Sequence, residues 1–242
     1  MIWRIYLQKA RNANANGNTD LAISHLFKML KYRPSANAKI LLGYYLLKKN
    51  RIDEADDVFT NHIMNDKKVN KSAKMRKKDG KIILNKTEMS AKTNYALLFW
   101  KKGELDKAIE LLEYVHARMR TSDLYCNLGL MYILKGDLEK ALKYNLKAYD
   151  FNPNHNGICD NLAYTYFLRE EFDDALELYE EIMEHEKKPR FPECYYNYGR
   201  VLSHFGQKEK AAKQFEYALQ LEFDGFSNVS RAQVEDALKN LL

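Results

Sequence analysis

Asparagine stands at four matching places, Asn94, Asn127, Asn161 and Asn197, at intervals of 33, 34 and 36 residues. A carboxamide carries both a donor and an acceptor, so a row of them can pair with an extended peptide backbone whatever its side chains. The same amides can instead bond within their own stretch of chain. Cys126, Cys159 and Cys194 recur at similar intervals. An odd number of cysteines gives no disulfide framework. No histidine joins them at ligand spacing, so they read as buried apolar thiols and not as a metal site. Glu177, Glu180, Glu181, Glu184 and Glu186 fall at helix-surface spacing, where solvation accounts for them. The sequence has no Gly-rich phosphate loop, no His-x-x-x-His, no paired Cys-x-x-Cys and no nucleophile-elbow serine motif. The expectation is therefore a non-enzyme with no catalytic residues, no metal and no cofactor. The chemistry left is recognition.

These residues are carried by a repeating unit, clearest between Leu124 and Pro153. Tyr125, Leu128 and Tyr132 share one helical face. Gly136 ends that helix and Asp137 can cap the next. Leu138, Ala141, Leu142 and Ala148 form the buried stripe of the second helix, and Pro153 stops it. The turn-side alanine recurs at Ala22, Ala55, Ala108, Ala141, Ala175 and Ala211, with spacings of 33, 53, 33, 34 and 36. A small residue of the first helix recurs in step at Gly43, Ala96, Gly129, Ala163 and Gly199. Small side chains at both places let two helix backbones cross closely. Two departures stand out. Asn145 occupies a place where the other units carry a large apolar residue, which predicts a local polar contact or a slightly open seam. Glu170 stands where a turn glycine is expected.

The pattern resembles the tetratricopeptide repeat (TPR) family, whose unit is a helix–turn–helix of about 34 residues. The resemblance implies an all-α chain, a right-handed superhelical solenoid of about six repeats. The repeats are expected over 3–35, 36–69, 89–121, 122–155, 156–189 and 192–225, within a solenoid spanning 1–225. A capping helix is expected over 226–242. The spacing of 53 leaves a basic insert at about 66–88, with nine Lys/Arg between Lys67 and Lys86 against Asp79. Asp79-Gly80 reads as a turn, and an extended second helix, a separate helix and a small hairpin all fit.

Charge divides unevenly. Residues 1–121 carry 25 Lys/Arg and 12 Asp/Glu, whereas residues 122–242 carry 14 and 21, within a net +6. A basic insert can neutralise phosphates of nucleic acid or lipid. This one has no aromatic residue to stack on a base, and the acidic second half repels a long polyanion. Nucleic acid and membrane are therefore not the expected partners. No apolar run approaches the roughly 20 residues that span a bilayer. Arg4, Lys9 and Arg11 interrupt any signal-peptide core, so a cytoplasmic location is expected.

In the family the first helices line a concave groove. The resemblance places Leu97, Trp100, Leu130, Ile133, Leu134, Tyr164, Phe167 and Leu168 there, and an exposed apolar patch often marks an interface. The same side chains can instead pack on neighbouring helices and show only edges. The asparagine row is similar to the asparagine ladder of the glycosyltransferase-linked TPR superhelix. The carboxylate clamp of chaperone-binding members is missing, since Thr93 and Leu97, or Ile40 and Tyr44, stand at its Lys and Asn places. Arg200 with Tyr196 and His204 can still grip an acidic group. The expected function is a protein–protein interaction scaffold holding a peptide or partner segment in that groove. The alternatives are a self-assembling dimer or filament, or an adaptor that meets an acidic partner or nucleic acid through the insert.

Overall fold

A computed structural model describes residues 2–64, 77–78, 81–82 and 85–241. The chain divides into two compact units, Met1–Met119 and Arg120–Leu242.

The first unit is built from paired helices. α1 (Ile2–Ala15) packs on α2 (Thr19–Tyr32), α3 (Ala36–Lys48) on α4 (Ile52–Asp57), and α5 (Lys86–Lys101) on α6 (Leu105–His116). α4 runs directly into a π-helical stretch, Val58–Ile63, that keeps Val58, Phe59 and Ile63 buried. α1 buries only Ala10 and Ala13, because Lys9 and Ala13 replace the large residues of the other first helices. Of the insert at 66–88, the described residues up to α5 are an antiparallel pair, Lys77–Lys78 with Lys81–Ile82 (the hairpin arrangement), and Asn85. The Asp79-Gly80 turn and most of the insert lie outside the described residues. Asn85 caps α5, its side chain accepting from the Glu88 amide at 3.3 Å.

The second unit continues the pattern with α7 (Ser122–Lys135), α8 (Leu138–Phe151), α9 (Asn156–Leu168), α10 (Phe172–Glu184), α11 (Pro192–His204) and α12 (Lys208–Gln220). α13 (Arg231–Lys239) packs on α12. Ser230 opens α13 with a capping box that Gln233 completes. Val234 is the buried residue of α13.

Within each pair the turn is made the same way. Gly17, Asn50, Gly103, Gly136, Glu170 and Gly206 all have positive φ, between 55° and 80°. Their spacings are again 33, 53, 33, 34 and 36. This left-handed conformation favours glycine, tolerates asparagine, and strains a residue such as Glu170.

The small residue of the first helix has a more specific role than helix crossing. A Cβ on Gly43 would lie 2.6 Å from the ring of Phe59, and one on Gly199 2.5 Å from the ring of Phe215. The glycine makes room for a ring from the second helix. At the corresponding place in the α7–α8 pair, Asn145 is fully buried against Gly129. Its amide donates to the Thr165 hydroxyl at 3.1 Å, and its Oδ1 has no partner among the described residues. The polar contact expected there is present.

Candidate functional site

α9 and α11 carry the densest group of candidate residues in the second unit. Each helix is started locally. His155 caps α9, its Nδ1 accepting from the Ile158 amide at 3.3 Å. Pro192 occupies the first turn of α11, where its missing N–H costs no helical bond. Ala163 and Gly199 seat the two helices against their partners, so Tyr164 and Phe167 on α9 and Tyr196 and Arg200 on α11 come together.

Arg200 is the centre of this group. Its guanidinium carbon lies 4.6 Å from the Phe167 ring centroid, 5.6 Å from Tyr196 and 5.8 Å from Tyr164. Nη1 also reaches the Tyr164 hydroxyl oxygen at 3.4 Å. All four side chains are half-buried. No carboxylate pairs with Arg200 among the described residues. A cation over aromatic faces is held by their quadrupoles, at about 0.5–2 kcal/mol depending on desolvation. Its remaining N–H donors suit a carboxylate.

The rings continue from this centre. Phe167 meets Phe172 edge-on at 5.7 Å, Phe172 stacks on His204 at 3.6 Å, and His204 meets Phe205 at 5.4 Å. Phe172 was not singled out in the sequence. Its signal is an aromatic residue at the first position of α10, directly after the strained turn at Glu170.

The other candidates are distributed as follows. Leu130 and Leu168 are half-buried, and Leu134 is 37% exposed. Ile133, Asn161 and Asn197 are each only 5% exposed. The Asn161 amide donates to the Cys126 carbonyl on α7 at 2.8 Å, and that of Asn197 to Asp160 on α9 at 3.4 Å. Both donors thus point to the preceding first helix. Asn127 is half-buried. Asn94, Leu97 and Trp100 belong to the first unit, where Leu97 is 5% exposed and the other two are half-buried.

Titratable groups beneath the site are shifted by burial. Asp160 accepts from the Tyr179 hydroxyl at 2.9 Å, yet burial outweighs its hydrogen bonds and raises its pKa to about 7. Burial also raises Cys126 and Cys159 to about 12 and lifts Cys194. The three sulfurs stay protonated at neutral pH and are poor nucleophiles. No group of three or more His, Cys, Asp or Glu among the described residues is arranged to hold a metal.

Stacked helix pairs with a left-handed turn in each, a small residue under a ring and a terminal covering helix define an α-helical repeat protein. The match is to the tetratricopeptide repeat family: its profiles match residues 122–155 and 161–227, so the second unit is built of TPRs, and the fold is a TPR-like solenoid. Among solved structures, a TPR protein from Parabacteroides merdae has 14% identity and a TM-score of 0.53 over 99% of this chain and 98% of its own. PilF of Pseudomonas aeruginosa has 17% identity and a TM-score of 0.61 over 97% and 96%. The APC/C hetero-tetramer Cut9–Hcn1 has 17% identity and a TM-score of 0.72 over 96% of this chain but 41% of that one. At such identities the likeness is one of fold alone. No curated protein matches the sequence. TPR folds are generally non-catalytic scaffolds for protein–protein interaction. No helix among the described residues is long and apolar enough to cross a membrane.

Proposed function

We propose that this chain is a non-enzymatic, cofactor-free, cytoplasmic scaffold that binds a partner segment on the α9–α11 face of its second unit. The observation that carries this reading is Arg200, a half-buried cation bedded on Tyr164, Phe167 and Tyr196 without a carboxylate partner among the described residues. A segment with an acidic group beside an apolar side chain satisfies both parts: the acid meets the guanidinium, and the apolar group covers the rings. Leu130, Leu134 and Leu168 extend the apolar face. The buried amides of Asn161 and Asn197 serve this site by fixing the spacing of the first helices. Asn127 is left as the member of the row in this unit best placed to meet a peptide backbone.

The test is a peptide library selected on the immobilised chain, with selected peptides titrated by calorimetry against Arg200→Ala and Phe167→Ala. Peptides carrying an acid next to a bulky apolar residue are expected, with affinity lost at least tenfold in each variant. Equal binding by wild type and both variants would remove the α9–α11 face from the reading.

Self-association is the second reading. It is supported by the exposed acidic row of α10, Glu177, Glu180, Glu181 and Glu184, with Glu186 just beyond its end, set against the basic first half of the chain. It predicts a light-scattering mass above the monomer that falls as salt shortens the Debye length to about 3 Å at 1 M.

A further inference from the structure

A separate cleft of about 620 Å³ opens in the first unit among α1, the end of α2, and the starts of α3 and α5. That volume lies within the range of about 300–1,000 Å³ typical of ligand sites. Its lining includes three cations, Arg11, Arg33 and Lys39, and no carboxylate among the described residues. Arg33 is held over the Trp3 ring at 4.3 Å. Lys39 is steadied by the His62 carbonyl at 3.2 Å, a neutral acceptor that leaves its charge uncompensated. Arg11 has no ion-pair or hydrogen-bond partner among the described residues. Between the cations, Trp3 and Leu7 give an apolar wall. Like charges line one cleft here with no counter-ion among the described residues, a balance that an anionic ligand would supply.

We infer that this cleft is a binding site for an acidic peptide segment of a partner protein, its carboxylates set among Arg11, Arg33 and Lys39 and an apolar side chain against Trp3 and Leu7. A peptide fits better than a small anion, because three cations spread along a cleft of this size outnumber what one phosphate can contact, and the apolar wall would then be left bare. The site uses other residues, and lies in the other unit, than the face proposed around Arg200.

The test is fluorescence polarisation with a fluorescein-labelled octapeptide of alternating glutamate and leucine, using its lysine–leucine counterpart as control. The full chain is compared with Arg11→Gln/Arg33→Gln and with Arg200→Ala. Both arginines of the double variant are exposed, so folding is expected to survive, and circular dichroism checks it. The proposal expects the acidic peptide to bind and the basic one to fail, Arg200→Ala, which disables the other face, to keep one binding event, and the double variant to lose that event by tenfold or more. Loss in Arg200→Ala with no loss in the double variant would place the peptide on the other face and overturn this inference while sparing the earlier one. Equal affinity for both peptides, or inorganic phosphate at millimolar concentration displacing the peptide completely, would also overturn it. So would a dimer, seen by sedimentation, that the double variant dissolves while the acidic peptide fails to bind, since the occupant would then be a second copy.

Discussion

Replacing Asp160 by asparagine tests how the second unit accommodates a buried carboxyl group. In the folded chain Asp160 is 7% exposed, and burial raises its pKa from 3.8 to about 7. The unfolded chain ionises it near 3.8, so it holds fewer protons than the folded chain between those values. Stability is then highest on the acid side and falls as pH rises, levelling off above about 7. A shift of about three units at about 1.4 kcal/mol each amounts to roughly 4 kcal/mol in all. Roughly 2–3 kcal/mol of that falls between pH 5 and pH 8 by the same linkage. The substituted carboxamide keeps an oxygen for the Tyr179 hydroxyl and titrates nowhere. The Asp160→Asn variant should therefore be more stable than wild type at pH 8 and close to it at pH 4. Glu193 is also raised, first by burial, and keeps a smaller slope of the same sign in both proteins. Urea unfolding followed by far-ultraviolet circular dichroism at pH 4, 5, 6, 7 and 8, at fixed ionic strength, gives the difference directly. Parallel stability curves for the two proteins would refute the reasoning, because they would mean that Asp160 titrates alike folded and unfolded.

Three further substitutions probe the framework. Glu170 holds φ at 65°, so Glu170→Gly should relieve about 1 kcal/mol of left-handed strain, offset in part by unfolded-state entropy, and raise the melting temperature by a degree or more. Gly199→Ala sets a methyl group against the Phe215 ring and should cost about 1–3 kcal/mol as an overpacked core, read by urea midpoint. Asn161→Ala removes the donor to the Cys126 carbonyl and should cost about 1–2 kcal/mol, whereas Asn127→Ala should leave stability within about 0.5 kcal/mol. Equal losses in these last two would show that the asparagine row is uniform.

The helix pairs were legible because Ala22, Ala55, Ala108, Ala141, Ala175 and Ala211 keep a spacing that only a repeated crossing demands. The seam at Asn145 was legible for the same reason, as a polar residue in an apolar column. The depth of Asn161 and Asn197 was not, since residue type says nothing about whether an amide turns toward a ligand or toward the helix before it. Phe172 joins its neighbours through a ring on a different helix, His204, which no local period encodes. The basic cleft draws Arg11, Arg33, Lys39 and Thr87 from four separate segments. Only the fold sets them around one opening.

The seam at Asn145 has a mechanical consequence. In a stacked array each element is held mainly by its neighbours, so a load along the second unit passes through every joint in series. At its centre the joint at Asn145 has one side-chain bond to Thr165 and an oxygen unmatched among the described residues, where the corresponding joints are filled by Tyr179 and Phe215, and the Asn161–Cys126 bond and the Arg169–Glu139 ion pair share its load. Under tension in an optical trap, that joint should be the first to yield. The α9–α13 segment should then persist as a folded block after α7 and α8 have let go, so that the extension trace shows a step before the final rupture.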